Sequence, residues 1–179
     1  MTAEDSILLE ETSTDPQKIL HDLMSRKEIP MHGPVHHFLD GAAFLTALHN
    51  AGVMFDLAEA LEALRERNQS MPGATCGHWG VCGSASSLGA ALAILRKTGP
   101  LSDNDYYKDN LRLTSRILAR EAELGGPRCC KRNGYTALDT ATDFVKEMYG
   151  IELERPGITC DFYPQNKTCL GEKCPYHPV

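Results

Sequence analysis

Ser84-Ala85-Ser86-Ser87-Leu88-Gly89-Ala90-Ala91-Leu92-Ala93-Ile94-Leu95-Arg96-Lys97 is the stretch that decides the fold. Leu88 to Leu95 is the longest apolar run in the chain, broken only by Gly89. A bilayer takes about 20 apolar residues, so this segment belongs in a protein core. It reads as a helix from about Ser84 to Lys97. Ala85, Gly89, Ala90, Ala91 and Ala93 keep its surface low, so another helix can approach it closely.

Other helices follow on either side. Asp15 before Pro16 is an N-cap with proline at the first helical position, and Ile19, Leu20 and Leu23 carry that helix to about Lys27. Pro34 starts the next, with Phe38, Leu39, Ala42, Leu45 and Leu48 as its stripe and Asn50-Ala51-Gly52 as its stop. Asp56 with Glu59 forms a capping box ahead of Leu57, Leu61 and Leu64. Glu62, Arg65, Glu66 and Arg67 make the wet face of that helix. Ser102 with Asp105 caps a helix through Leu111, Leu113, Ile117, Leu118 and Leu124, which Gly125-Gly126-Pro127 ends. A last helix opens at Asn133 or Thr136 and stops at Gly150, with Leu138, Ala141, Phe144, Val145 and Met148 as its face. No segment alternates as a strand does. The fold expected is mainly α: a compact helical domain of five or six helices over residues 15–155. A flexible segment, 1–14, precedes it, and an irregular cysteine-rich tail, 156–179, packs on the same domain.

With 179 residues the chain can bury a core without disulfides, yet it holds seven cysteines. The number is odd and two are adjacent, which points away from a disulfide framework and towards metal or thiol chemistry. Residues 1–11 lack the features of a signal peptide, so a cytoplasmic setting with reduced thiols is expected. Eighteen Lys and Arg against 24 Asp and Glu give a net charge of −6. This argues against nucleic acid or an anionic membrane as partner.

The unusual residues collect at helix starts. His32-Gly33-Pro34-Val35-His36-His37 opens one helix. Cys76-Gly77-His78-Trp79-Gly80-Val81-Cys82-Gly83 precedes the small-residue helix. Arg128-Cys129-Cys130-Lys131-Arg132 precedes the last. Unpaired backbone N–H groups and the positive dipole end favour thiolates there, and Lys131 and Arg132 act in the same direction on Cys129 and Cys130. The bland alternatives are that one histidine packs while the other meets solvent, and that the cysteines are small buried hydrophobes. Interleaved Gly77, Gly80 and Gly83 speak for a loop shaped around something. Trp79 either packs in the core or lines a pocket.

Cys160, Cys169 and Cys174 lie in a tail with little apolar content, where packing explains them poorly. They need a fourth ligand, and Cys129 or Cys130 can supply it. Four cysteines suit zinc or a [4Fe–4S] cluster, although the spacing matches neither a zinc ribbon nor a bacterial ferredoxin run. Asn166 sits in a glycosylation sequon, but its place between candidate ligands makes a hydrogen bond to one of them the better expectation.

These motifs resemble an uncharacterised cysteine-rich family of mostly anaerobic bacteria and archaea. The matching stretches are Met31 to Pro34 with His36-His37, Pro72-Gly73 with the Cys76 to Gly83 loop, Gly125 to Arg132, and the tail from Cys160 through Asn166 and Cys169 to Cys174-Pro175. The resemblance covers about residues 15 to 178. Some family members resemble zinc-ribbon proteins at their N-terminus or occur with methyltransferase modules, whereas this chain has no cysteine before Cys76. The resemblance implies a metal or iron–sulfur site in an anaerobe and no assigned reaction.

Two functions compete. In the first, a cluster-bearing enzyme acts on a small molecule by redox, sulfur-transfer or methyl-handling chemistry. Cys76 and Cys82 would then serve as thiols, His36 and His37 would move protons, and Arg128, Lys131, Arg132 and Trp79 would hold the substrate. In the second, a zinc-stapled helical protein, able to oligomerise, binds a protein partner or delivers metal.

Overall fold

The computed structural model describes residues 3–178. Eight helices are present in this range and no strand. They are α1 (Ala3–Glu10), α2 (Pro16–Met24), α3 (Val35–Asn50), α4 (Leu57–Gln69), the single turn α5 (Thr75–His78), α6 (Gly83–Leu95), α7 (Asp105–Leu124) and α8 (Cys130–Tyr149). No described helix is long and apolar enough to cross a membrane. Beyond Ile151 the described chain is irregular except for two short 3-10 turns, Tyr163–Gln165 and Gly171–Lys173.

Helix α3 is the axis of the molecule. Every residue from His36 to Leu48 is buried, as expected of a helix surrounded by others. α2, α4, α6 and α8 all pack on it, and α7 closes the far side against α6 and α8. The close approach expected of the small-residue helix is realised at Gly41. A Cβ there would stand 2.6 Å from Ser87 Oγ and 2.9 Å from the Ser87 carbonyl oxygen. The Gly41 N–H also donates to Ser87 Oγ at 2.8 Å. On the other face of α6, a Cβ on Gly89 would meet Thr114 of α7 at 2.5 Å.

The expected caps are in place. Asp15 accepts from the backbone N–H of Gln17 at 2.9 Å and of Lys18 at 3.2 Å. Asp56 accepts from that of Glu59 at 2.9 Å. Three expectations change. The N-terminal segment expected to be flexible carries α1, whose Leu8 is fully buried and whose Asp5 pairs with Arg65. Arg65 therefore does not belong to a wet face; it is half-buried over the Phe38 ring at 3.8 Å. The last helix begins at Cys130, earlier than Asn133, because Cys129 itself is the N-cap and its sulfur accepts from the Arg132 N–H.

Candidate functional site

Two cavities meet at the start of α8: Cys129 lines both of them, and Cys130 lines only the second. Cys129 is extended and forms the N-cap, while Cys130 is the first helical residue. Cys129 lines a small cavity together with Cys160, Cys169 and Cys174. Cys130 lines a second one with His36, His37, Cys76, Cys82 and Arg128.

The first cavity measures about 20 Å³, more than the roughly 10–15 Å³ that admits a water. Each of its four sulfurs has a backbone N–H against it. Arg132 N donates to Cys129 Sγ at 3.5 Å and Gly171 N to Cys169 Sγ at 3.4 Å. The Phe162 N–H faces Cys160 and the Tyr176 N–H faces Cys174. Each tail cysteine thus stands two residues before its own donor, so the tail makes three similar turns around its sulfurs. Asn166 is buried and its Nδ2 donates to Cys129 Sγ at 3.5 Å. This is the hydrogen bond expected of it, and the burial closes the sequon off.

Lys131 forms part of the same wall. It is 1% exposed, and its Nζ lies 4.6 Å from the Phe162 ring centre. Its other neighbours are the Met24 and Pro30 carbonyls, at 3.5 and 3.4 Å. Burial lowers its pKa, and nearby cysteines oppose that shift. Burial also pushes the Cys160 thiol up to about 11 and raises that of Cys174. As thiols these groups are neutral, and a bound metal would have to displace their protons. Among the described residues, no group of three or more His, Cys, Asp or Glu side chains is arranged to hold a metal ion as it stands.

The tail is tied to the helices. The Cys160 N–H donates to the Tyr176 carbonyl at 2.7 Å. Tyr176 Oη lies 3.1 Å from Thr136 Oγ1, and its ring meets that of Tyr135 edge-on.

The second cavity is small, about 30 Å³, and shares Cys76, Cys82, Arg128 and Asn133 with an open cleft of about 710 Å³. Both histidines are buried, contrary to the alternative of one packed and one solvated. His36 Nε2 bonds the Pro30 carbonyl at 2.9 Å, and desolvation pulls the ring's pKa down to about 4, so it is neutral. The His37 ring lies flush on Gly83, where a Cβ would come within 1.9 Å of it. Burial lowers its pKa as well.

The thiolates expected at helix starts are overturned where the shifts are resolved. Burial pushes Cys130 up to about 11 and also raises Cys82. Loss of water outweighs the helix dipole, which acts only over the first turn. Cys82 Sγ accepts from Asn133 Nδ2 at 3.2 Å.

The substrate-holding residues expected from sequence scatter. Arg128 lines the cleft. Lys131 faces the four-cysteine cavity. Arg132 gives its Nη2 to the Gly125 and Pro127 carbonyls at 2.7 and 2.8 Å, fixing the turn before α8. Trp79 is 67% exposed and borders neither cavity nor the cleft.

Two carboxyls escaped sequence reasoning. Asp40 is fully buried, its oxygens without a well-formed hydrogen bond, and burial pushes it up to about 7. Ser84 is its polar neighbour. Gly134 must be glycine beside it, since a Cβ would sit 2.7 Å from Oδ1. Glu121 lines the cleft, 8% exposed. Each had a signal. Asp40 interrupts an apolar run one turn after the histidines. Glu121 extends the buried series Leu113, Ile117 by one more helical step of four.

One family model matches residues 5–177, a range that holds both cavities and all seven cysteines. The chain belongs to DUF5714, a family of unknown function. No curated protein and no solved structure matches it. For this DUF5714 chain, chemistry therefore has to be argued from the two cavities.

Proposed function

We propose that this chain is an iron–sulfur protein, with Cys129, Cys160, Cys169 and Cys174 as the ligands of a [4Fe–4S] cluster and with redox, sulfur-transfer or methyl-handling chemistry on a small molecule across α8. The observation that carries it is the cavity lined by four sulfurs, each with a backbone N–H turned to it. Such donors stabilise sulfur that carries negative charge and tune a cluster's potential. Lys131, buried in the same wall, offsets the charge that four thiolates bring. The sulfurs line a void of about 20 Å³, which would have to open around a four-iron core; four cysteine ligands suit a [4Fe–4S] cluster or zinc. A bound cluster would supply single-electron transfer. Cys130 does not line the four-cysteine cavity.

Purification without oxygen, followed by iron, sulfide and zinc analysis and a visible spectrum, tests the proposal. The expected result is a brown protein with about four irons and four sulfides per chain, lost in Cys160→Ala and Cys174→Ala and kept in Cys130→Ser. A colourless protein holding only zinc would overturn it in favour of the zinc-stapled reading.

A further inference from the structure

Glu121 differs from the other buried acids near the molecular surface. Asp109 is held by Arg112 at 3.1 Å and Tyr149 at 2.9 Å. Asp5 has Arg65, and Asp15 caps α2. Asp40 is also unpaired but does not border the cleft. Glu121 is over nine-tenths buried, both of its oxygens lack a well-formed hydrogen bond, and it lines the cleft. The Cys82 thiol, a weak donor, is the one side chain that hydrogen-bonds it, and only loosely. Arg132 is near enough to attract it, but the Arg132 Nη2 is committed to two carbonyls. A carboxyl buried with only a thiol to donate to it costs folding free energy, and a native fold keeps one where something else supplies a stronger partner.

The rest of the cleft says what that something carries. Arg128 is exposed at its wall and makes no ion pair among the described residues. Leu118 and Ala122 give it an apolar side. At about 710 Å³ it falls within the roughly 300–1,000 Å³ of small-molecule sites. We propose that the cleft binds a small zwitterion, amino-acid-like in charge, with a basic nitrogen against Glu121, an acidic group against Arg128 and a short apolar link between them. This rests on and deepens the proposal of small-molecule chemistry across α8, by placing the substrate in the cleft. It does not depend on which metal the four cysteines hold, so the two proposals fail separately.

The test titrates the full chain, as isolated, with ω-amino acids from glycine through γ-aminobutyrate to ε-aminocaproate, following heat or amide chemical shifts. Alkylamines and alkylcarboxylates of matching length are the controls. One chain length is expected to bind at least about tenfold more tightly than either matched half, a difference of about 1.4 kcal/mol. Glu121→Gln and Arg128→Gln should each bring it down to the level of the halves. Glu121→Gln should melt no lower than the parent, since it removes a buried acid held only by a thiol. Arg128 is exposed, so its variant tests the site even if the Glu121 variant folds poorly. No saturable binding, equal binding of amine and zwitterion, or unchanged binding by both variants would overturn the proposal.

Discussion

Gly41→Ala is the sharpest test of how the helices meet. On an exposed helix the change would stabilise by about 1 kcal/mol, because alanine is the better helix former. At this position the new methyl carbon would lie 2.6 Å from Ser87 Oγ, 2.9 Å from the Ser87 carbonyl oxygen and 3.0 Å from Leu64 Cδ2. The serine hydroxyl can rotate away, at the loss of its bond to the Gly41 N–H, worth about 1 kcal/mol. The carbonyl cannot, because it belongs to the α6 backbone. The helices must separate by several tenths of an ångström, and overpacking of that kind costs about 1–3 kcal/mol. The net expectation is a loss of about 2 kcal/mol, or about 4–8 °C in Tm for a chain of this size. Thermal unfolding followed by circular dichroism gives the measurement. Gly77→Ala is the control, because nothing lies within 4 Å of its added Cβ and its backbone is unstrained. It should shift Tm by less than about 2 °C. A Gly41→Ala protein that melts at or above the parent would show that propensity wins and that α3 and α6 are not in backbone contact.

Other expectations come from the charged groups and the metal. Burial raises Asp40 from an ordinary 3.8 to about 7, so the folded state favours its neutral form. The native state then loses stability as pH climbs from about 4 to 7, by up to on the order of 4 kcal/mol. Asp40→Asn should not lose it, so its unfolding free energy should overtake the parent's across that range, and parallel profiles would refute the assignment. Asp56→Ala removes a cap bond of 2.9 Å to the Glu59 N–H and should cost about 1 kcal/mol by denaturant titration. Chelation of the proposed cluster should loosen the tail, raising amide exchange at Gly171 and Tyr176 while α3 stays protected.

Periodicity revealed the long helices because an apolar stripe is a sufficient cause of burial. Leu57, Leu61 and Leu64 are buried as their spacing requires. The same logic fails at Leu111, which carries a helical apolar position but is 59% exposed. α1 stayed hidden because its acidic composition imitates a frayed end. Its stability comes from Leu8 in the core and from the Asp5–Arg65 pair, a partner 60 residues away. The grouping of the tail cysteines with the α8 start was legible from the shortage of apolar residues around them. Which member of the adjacent pair joins them was not, since one dihedral change separates the two. Asp40 and Glu121 were missed because a carboxyl on a helix is ordinarily solvated, and sequence shows little of what packs over it.

The adjacent pair also explains how one helix start borders two cavities. Cys129 has φ −144° and ψ 106°, while Cys130 already lies within α8. The backbone turns from extended to helical between them, so the two side chains leave it in different directions. Only Cys129 reaches the four-cysteine cavity, while both line the one beside His36. The two sites remain electrically linked, because charge on Cys129 raises the pKa of Cys130. Cys129 is thus the residue that borders both cavities. Lengthening the link tests this. An alanine inserted between Cys129 and Cys130 keeps both thiols but moves Cys129 by one residue, about 100° round the axis of α8, while the buried face of α8 holds the helix in place. It should therefore remove Cys129 from the tail's ligand set. Loss of the proposed metal on insertion, set against its retention in Cys130→Ser, would separate the helix start's role as a shared wall from a simple need for a second thiol.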